Sequence, residues 1–298
     1  MPQPFRVGIT ADFLTADGRI GFGDIGLDLL DAEGGIAHAF MARRENPLTA
    51  DLVAGYDALI VNAPRVSAES LADVAGLTVL CRYGVGYDSV DLDACTRAGV
   101  AVTITPDGAR RPVANMVMTF LLALSHRLFE KDRATRTPGG WGSKLDLMGY
   151  WLSGQTLGIV GFGNIGREVA KLATVFDLKL IAADPYADPA AAAALGVELV
   201  DIDTLMQRSD YVAITCALTP ETRGMISRER LATMKPTAFL INAARGPIVD
   251  QDALYDVLRE RRIRGAATDV FAVEPVDPAE PLLALDNIIV APHALCWT

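Results

Sequence analysis

The stretch Leu157-Gly158-Ile159-Val160-Gly161-Phe162-Gly163-Asn164-Ile165-Gly166-Arg167 decides the fold. Its first four residues read as a buried strand, and Val169, Leu172, Ala173 and Phe176 continue it with helical spacing. Between them lie three glycines with separate tasks. Gly161 permits the tight strand-to-helix turn, Gly163 lets the main chain approach a pyrophosphate, and Gly166 lets the helix lie close to the strand. The helix then presents free N–H groups and the positive end of its dipole to an anion. Gly161, Phe162, Gly163, Asn164, Ile165 and Gly166 are therefore the expected pyrophosphate-binding turn.

Glycine turns of this spacing arise by chance, so the surroundings matter. Leu180-Ile181-Ala182-Ala183-Asp184 supplies a second strand ending in an acid, 18 residues after Gly166 and close to the ~20 expected of a ribose-binding carboxylate. Asp184 would accept hydrogen bonds from ribose hydroxyls and repel a 2′-phosphate. Pro185 and Tyr186 supply no arginine to neutralise one, so NAD is expected in preference to NADP. Read only as a turn residue before proline, Asp184 would leave that choice open.

Outward from this turn, short apolar runs alternate with helical patterns, which predicts parallel α/β architecture. Strands are expected at 157–160, 180–183, 211–215, 238–242, 265–270 and 288–291 in one series, and at 7–10, 58–61, 79–81 and 100–104 in an earlier one. Helices are expected at 25–33, 68–74 and 92–98. A longer helix is expected from about Pro112, with Val113, Met116, Val117, Phe120, Leu121, Leu124 and Leu128 on one apolar face. The boundary is set near Pro106, giving a first domain over 1–105 and a dinucleotide-binding domain over 106–292.

Bulk properties narrow the function. The chain has 298 residues, 51% hydrophobic and 21% charged, enough for two ordinary globular domains. A net charge of −10 disfavours nucleic acid as a partner. The N-terminal residues Met1-Pro2-Gln3-Pro4-Phe5-Arg6 lack the pattern of a leader, and no apolar run approaches the ~20 residues of a membrane span. Cys81, Cys95, Cys216 and Cys296 have neither metal-site nor disulfide-framework spacing, so free thiols, no metal and a cytoplasmic location are expected.

Three downstream segments follow predicted strands and so belong at the carboxyl edge of the sheet, where open α/β proteins bind ligands. They are Asn242-Ala243-Ala244-Arg245-Gly246, Thr268-Asp269-Val270-Phe271-Ala272-Val273-Glu274-Pro275 and Ala291-Pro292-His293. Interconverting a 2-hydroxy acid and a 2-oxo acid requires a cation on the carboxylate and carbonyl, and Arg245 has the planar fork for it. It requires a proton carrier titrating near neutrality, for which His293 is the candidate. It also benefits from an acid that orients that carrier, and Glu274 fits. Taken singly, His293 reads as a cap or surface histidine and Arg245 as a surface charge. Their joint placement behind strands of a dinucleotide domain favours the catalytic reading.

With Gly84-Val85-Gly86-Tyr87-Asp88, the glycine turn, Pro220-Glu221-Thr222, the Arg245 segment, Asp269 to Pro275 and Pro292-His293 in this order, the chain resembles the D-isomer-specific 2-hydroxyacid dehydrogenases. That family includes phosphoglycerate dehydrogenases and glyoxylate/hydroxypyruvate reductases. The resemblance implies two Rossmann-like doubly wound parallel-sheet domains with the active site in the cleft between them. It implies Arg245, Glu274 and His293 as the catalytic trio, and Asp269 at the nicotinamide end of NAD. Cys216, Pro220 and Thr222 would line the adenosine side, with Ala243 and Ala244 also against the cofactor. Backbone N–H groups of Tyr83, Gly84, Val85 and Gly86 would hold the carboxylate of a small 2-oxo or 2-hydroxy acid. Related formate dehydrogenases carry glutamine where this chain has Glu274.

The chain departs from the pattern at Asn115, where members have an acid. Arg110 and Arg111 precede the expected helix start, where cations oppose the dipole. Either they meet a further anionic group of the substrate, or they are solvated or dimer-facing. Trp297 has two readings, limiting substrate size or packing locally. Trp141, with the helix from Pro112, is expected to form a homodimer contact; alone it would read as a packing residue. Members continue beyond the histidine with a helix returning to the first domain, so 293–298 is expected to begin that helix and further residues to follow Thr298. The competing reading is an NAD-sensing corepressor or scaffold, which would be expected to lack the trio. A third, an enzyme using another nucleotide-like cofactor, leaves Arg245, Glu274 and His293 unexplained.

Overall fold

Every strand in both sheets pairs in parallel. The computed structural model describes residues 3–298; Met1 and Pro2, read above only for a leader pattern, lie outside the described residues. The chain divides into two compact units, Met1–Ala109 and Arg110–Thr298.

The first unit contains β1 (Phe5–Ile9), α1 (Leu27–Asp31), β2 (Ile36–Phe40), α2 (Ala50–Val53), β3 (Ala58–Val61), β4 (Val79–Arg82), α3 (Leu92–Ala98) and β5 (Ala101–Ile104). Its sheet has the order β2-β1-β3-β4-β5, a doubly wound arrangement. Leu59, Val61 and Leu80 fill its core with Val53 and Cys95, all at most 1% exposed. α3 is framed as its sequence suggests. Asp91 caps it by accepting from the Ala94 N–H, and Gly99 ends it in the left-handed region at φ 70°.

The second unit continues α4 (Pro106–His126) into α5 (Leu128–Arg136), β6 (Thr156–Val160), α6 (Asn164–Ala173), β7 (Lys179–Ala183), α7 (Pro189–Ala194) and β8 (Val197–Leu199). Then come α8 (Ile202–Arg208), β9 (Tyr211–Ile214), α9 (Arg228–Thr233), β10 (Phe239–Asn242), α10 (Gln251–Arg259), β11 (Gly265–Thr268) and β12 (Ile288–Val290). The sheet order is β12-β11-β10-β9-β6-β7-β8, so the strand order reverses between β6 and β9. That reversal opens a crevice at the carboxyl ends of those strands. β9, β10 and β11 are buried along their whole length, which explains why they read as unbroken apolar runs.

Several expectations change. The long helix begins at Pro106, and Pro112 lies inside it rather than in its first turn. Pro106 already occupies the start, where a missing N–H costs nothing, and Pro112 forfeits its bond to the Gly108 carbonyl. Arg110 and Arg111 are therefore helical residues, not a cationic prelude. Six of the seven predicted face residues are buried, from Val113 to Leu124. Leu128 is not, because Arg127 turns left-handed at φ 52° and starts a new helix. The stretch 68–74 forms only a short turn of 3-10 helix at Glu69–Leu71. Residues 293–298 belong to the second unit, whose limit lies at Ala109/Arg110 rather than 105/106. Cys95 is buried and Cys81, Cys216 and Cys296 are partly buried; all four thiols are free. Among the described residues no single helix is long and apolar enough to cross a membrane.

Candidate active site

The glycine turn has the geometry its residues demand. Gly161 adopts φ 92°, and a Cβ there would sit 2.6 Å from the Cys216 backbone N and Cα. It thus brings the end of β6 against the end of β9, at the point where the sheet order reverses. A Cβ on Gly166 would strike the Gly161 carbonyl oxygen, whereas one on Gly163 would meet nothing within 4 Å. The open side at Gly163 lies at the N-cap of α6, where a dinucleotide pyrophosphate fits. Thr215 closes the other wall, its Oγ1 donating to the Gly161 carbonyl at 2.7 Å.

Asp184 is tied to this turn directly. Its Oδ2 accepts from the Phe162 N–H at 2.7 Å and its Oδ1 from the Tyr186 N–H at 2.8 Å. Each oxygen keeps a second lone pair for a further donor. Beyond β9, Thr222 Oγ1 accepts from the Thr219 N–H and donates to the Ala217 carbonyl, both at 2.7 Å, shaping the loop that includes Pro220. Burial pushes the Cys216 thiol up to about 11, which keeps it neutral.

Neighbouring β10, β11 and β12 end side by side, and their following loops carry Arg245, Glu274 and His293. Asn242 is buried; its Nδ2 donates to the Arg245 carbonyl at 3.0 Å and its Oδ1 accepts from the Ala244 N–H at 3.1 Å. This amide folds the turn Asn242–Arg245, and Arg245 Nη1 donates to the Ala244 carbonyl at 2.8 Å. Gly246 packs on the next loop so closely that a Cβ would overlap the Phe271 carbonyl.

Glu274 and His293 meet at 2.7 Å, Oε2 to Nδ1, while Oε1 accepts from the Phe271 N–H at 2.9 Å. Partial burial alone would raise the Glu274 carboxyl. The hydrogen bonds from His293 and Phe271, with the charges of His293 and Arg245, outweigh it and hold the group below the usual carboxylate range. His293 sits at φ 56°, a left-handed conformation unusual for a side-chain-bearing residue and of the kind found at functional sites. Its side chain remains 42% exposed, so its reactive edge is within reach of a ligand.

Asp269 is 1% exposed and anchors the C-terminal segment, its Oδ1 accepting from the N–H groups of Ala294 at 3.1 Å and Leu295 at 3.2 Å. Those two bonds place 293–298 in this unit. Burial raises the Asp269 carboxyl, an effect the two N–H donors only partly offset. Trp297 is exposed. Both cations before the core of α4 face Glu168 on α6: Arg111 Nη1 lies 2.7 Å from its Oε1, and Arg110 Nε 4.0 Å from its Oε2.

In the first unit, the N–H of Tyr83 donates to the Val61 carbonyl at 2.8 Å and that of Gly84 to Thr105 Oγ1 at 2.7 Å. Of the four N–H groups expected to hold an anion, those of Val85 and Gly86 have no such partner among the described residues. The task of Asn242 is not evident from its sequence context alone. An Asn closing a strand is the signal that would have found it, because its side chain folds the backbone two residues on.

The profile of the D-isomer specific 2-hydroxyacid dehydrogenase NAD binding domain matches residues 118–294. The chain belongs to the D-isomer specific 2-hydroxyacid dehydrogenases. It is similar to the glyoxylate reductase of Thermococcus onnurineus, 41% identical over 244 residues that make up 80% of this chain and 72% of that protein. A D-3-phosphoglycerate dehydrogenase of Methanocaldococcus jannaschii is 40% identical over 239 residues, covering 80% of this chain but 45% of the relative. This dehydrogenase thus spans less than half of that longer enzyme. A solved structure of a Thermus thermophilus protein superimposes with TM-score 0.81 at 33% identity, covering 98% of this chain and 90% of the other. The enzyme is an NAD-dependent dehydrogenase, and the corepressor reading is not favoured.

Proposed function

We propose that His293 exchanges the substrate proton, that Glu274 holds and charges it, and that Arg245 binds the carboxylate and carbonyl of a small 2-oxo acid. The observation that carries this reading is the 2.7 Å contact between His293 Nδ1 and a Glu274 carboxylate held in its ionised range. With Nδ1 engaged, Nε2 is the atom left to face substrate. Ionised Glu274 stabilises the imidazolium, so His293 can deliver a proton to the carbonyl oxygen and take it back in the oxidative direction. Arg245 stabilises the negative charge that develops on that oxygen. When bound, NADH would supply the hydride that reduces the carbonyl carbon, the product pair being NAD and the 2-hydroxy acid.

The residues fit that cofactor. The α6 N-terminus beside the open Gly163 receives the pyrophosphate, and Asp184 receives the ribose hydroxyls and disfavours a 2′-phosphate, which makes NAD preferred over NADP. Asp269 would lie at the nicotinamide end, and Ala243, Ala244, Cys216, Pro220 and Thr222 would line the cofactor. Between Leu128 and Trp151 the chain exposes Phe129, Trp141, Leu145, Met148 and Trp151, at 52–79%. So much apolar surface on one segment supports a homodimer through this region, measurable by light scattering. The buried face of α4 does not support the wider interface expected from the helix.

The test is a panel of glyoxylate, hydroxypyruvate, phosphohydroxypyruvate and larger 2-oxo acids, assayed for NADH and NADPH oxidation. His293→Ala should lower turnover at least about 100-fold while NADH still binds. Near-normal turnover in that variant refutes the assignment.

A further inference from the structure

Gln251 is the first residue of α10 and touches no residue of the acid–base trio, yet its amide reaches the loop that carries Glu274. Its Oε1 accepts from the Ala272 N–H at 2.8 Å, and its Nε2 donates to Glu280 Oε2 at 2.9 Å. Both ends of this bridge lead into fixed structure. α10 buries Ala253, Leu254, Val257 and Leu258, and Asp250 caps it by accepting from the Ala253 N–H at 2.9 Å. Glu280 caps the turn Pro281–Ala284, its Oε1 accepting from the N–H of the buried Leu282 at 3.3 Å.

The loop itself is otherwise exposed from Ala272 to Pro275. Within it, two consecutive N–H groups are committed. That of Phe271 donates to Glu274, and that of Ala272 donates to Gln251. The first bond only ties the loop to its own carboxylate. The second ties it to the core. A primary amide suits the position because it must accept from an N–H and donate to a carboxylate at once. Glutamate would set two carboxylates together, and alanine would leave Ala272 unanchored.

We propose that Gln251 is a positioning residue of this dehydrogenase: by clamping Ala272 to Glu280 it holds the exposed loop where Glu274 meets His293. The proposal rests on the reading of His293 and Glu274 as the acid–base pair. The mechanism is mechanical, since a loop free to drift lengthens the Glu274–His293 contact and weakens the support for the charged imidazole. Reduction needs that charged form, so the alkaline fall of the rate should then occur at lower pH.

The experiment measures kcat for the fastest 2-oxo acid of the panel from about pH 5 to 9. The variants are Gln251→Ala, Gln251→Glu and Gln251→Glu with Glu280→Gln, with His293→Ala as reference. Gln251→Ala should lose about tenfold in kcat, shift the alkaline limb to lower pH, and keep KM for NADH within about twofold. Gln251→Glu should be similarly impaired. The double variant recreates the acceptor–donor pair with its members exchanged and should recover to within about threefold of the parent. A parent-like pH profile in Gln251→Ala, or a double variant no better than Gln251→Glu, overturns the positioning role. If His293→Ala also retains turnover and the alkaline limb, the acid–base reading falls and the positioning role with it. If His293→Ala is inactive while the Gln251 variants behave as the parent, only the positioning role falls.

Discussion

Replacing Gly246 with alanine should separate the two loops that carry Arg245 and Glu274. A Cβ at this position would overlap the carbonyl carbon and oxygen of Phe271 and lie 2.5 Å from the Ala272 nitrogen. Comfortable heavy-atom contact begins near ~3.5 Å, so the Phe271–Ala272 peptide must retreat by about 1.5 Å. These atoms are backbone on both sides, so no side-chain rotation can absorb the clash. The Phe271 N–H holds Glu274 Oε1, so the displacement passes to the 2.7 Å contact with His293. Misplacing a catalytic group by ~1 Å can cost about 100-fold, or about 2.7 kcal/mol of barrier. Overpacking at this contact adds a stability loss of about 1–3 kcal/mol. The glycine turn and Asp184 are untouched, so NADH should bind nearly as in the parent. Steady-state kcat, NADH binding by fluorescence and a thermal melt separate these effects. A kcat within about threefold of the parent, in a folded variant with normal NADH binding, refutes the reasoning.

Three further outcomes follow from single contacts. Asp184→Ala removes the acceptor for the Phe162 and Tyr186 N–H groups as well as the charge. It should raise KM for NADH and narrow the NADH/NADPH preference, and an unchanged ratio assigns ribose reading to another group. Arg111→Ala should leave substrate kinetics unchanged and lower Tm, because Arg111 serves Glu168, which is 9% exposed. The Arg111 hydrogen bond, foremost, holds the Glu168 carboxyl below its ordinary 4.5. That stability is present above 4.5 and disappears as pH falls through the folded value, so the Tm difference should close in acid. A raised substrate KM would instead return Arg111 to the substrate. Asp269→Asn keeps an oxygen for the Ala294 and Leu295 N–H groups but removes a charge whose burial raises the carboxyl above 3.8. Because the folded state holds that proton more tightly, ionisation costs stability as pH rises from 3.8 upward. The variant should therefore melt higher than the parent near neutrality, with the advantage vanishing below 3.8, while NADH binds more weakly. A lower Tm at neutral pH contradicts this account.

What could be read from sequence depended on whether the constraint is local. Ala58–Val61 and Leu92–Ala98 were legible to the residue, one as a largely buried apolar run and the other between an Asp cap and a C-terminal glycine. The missed strands Ile36–Phe40 and Val197–Leu199 lie at sheet edges, β2 in the first and β8 in the second. An edge strand has one neighbour and buries little, so Ile-Ala-His-Ala-Phe carries only a faint alternation. Pro112 misled because proline marks helix starts more often than interiors, and Pro106 had already filled that place.

The candidate site divides along the same line. The task of Gly161 is visible in sequence because a left-handed turn after a strand is a demand of its own backbone. Gly246 looks the same on paper, but its requirement comes from Phe271, which reaches it only because β10 and β11 are neighbours. Arg245, Glu274 and His293 could be named from chemistry, since few side chains carry protons or bind carboxylates near neutrality. The residues that aim them could not, because Asn242 and Gln251 act through hydrogen bonds to backbone groups whose positions exist only once the sheet has assembled. Reactive groups are thus constrained by residue type and their supports by tertiary geometry. The trio is adjacent because three successive parallel strands, β10, β11 and β12, end together and each contributes one loop. An insertion within β11 would shift Glu274 against both neighbours at once, while the glycine turn, held by β6 and β9, would keep its shape.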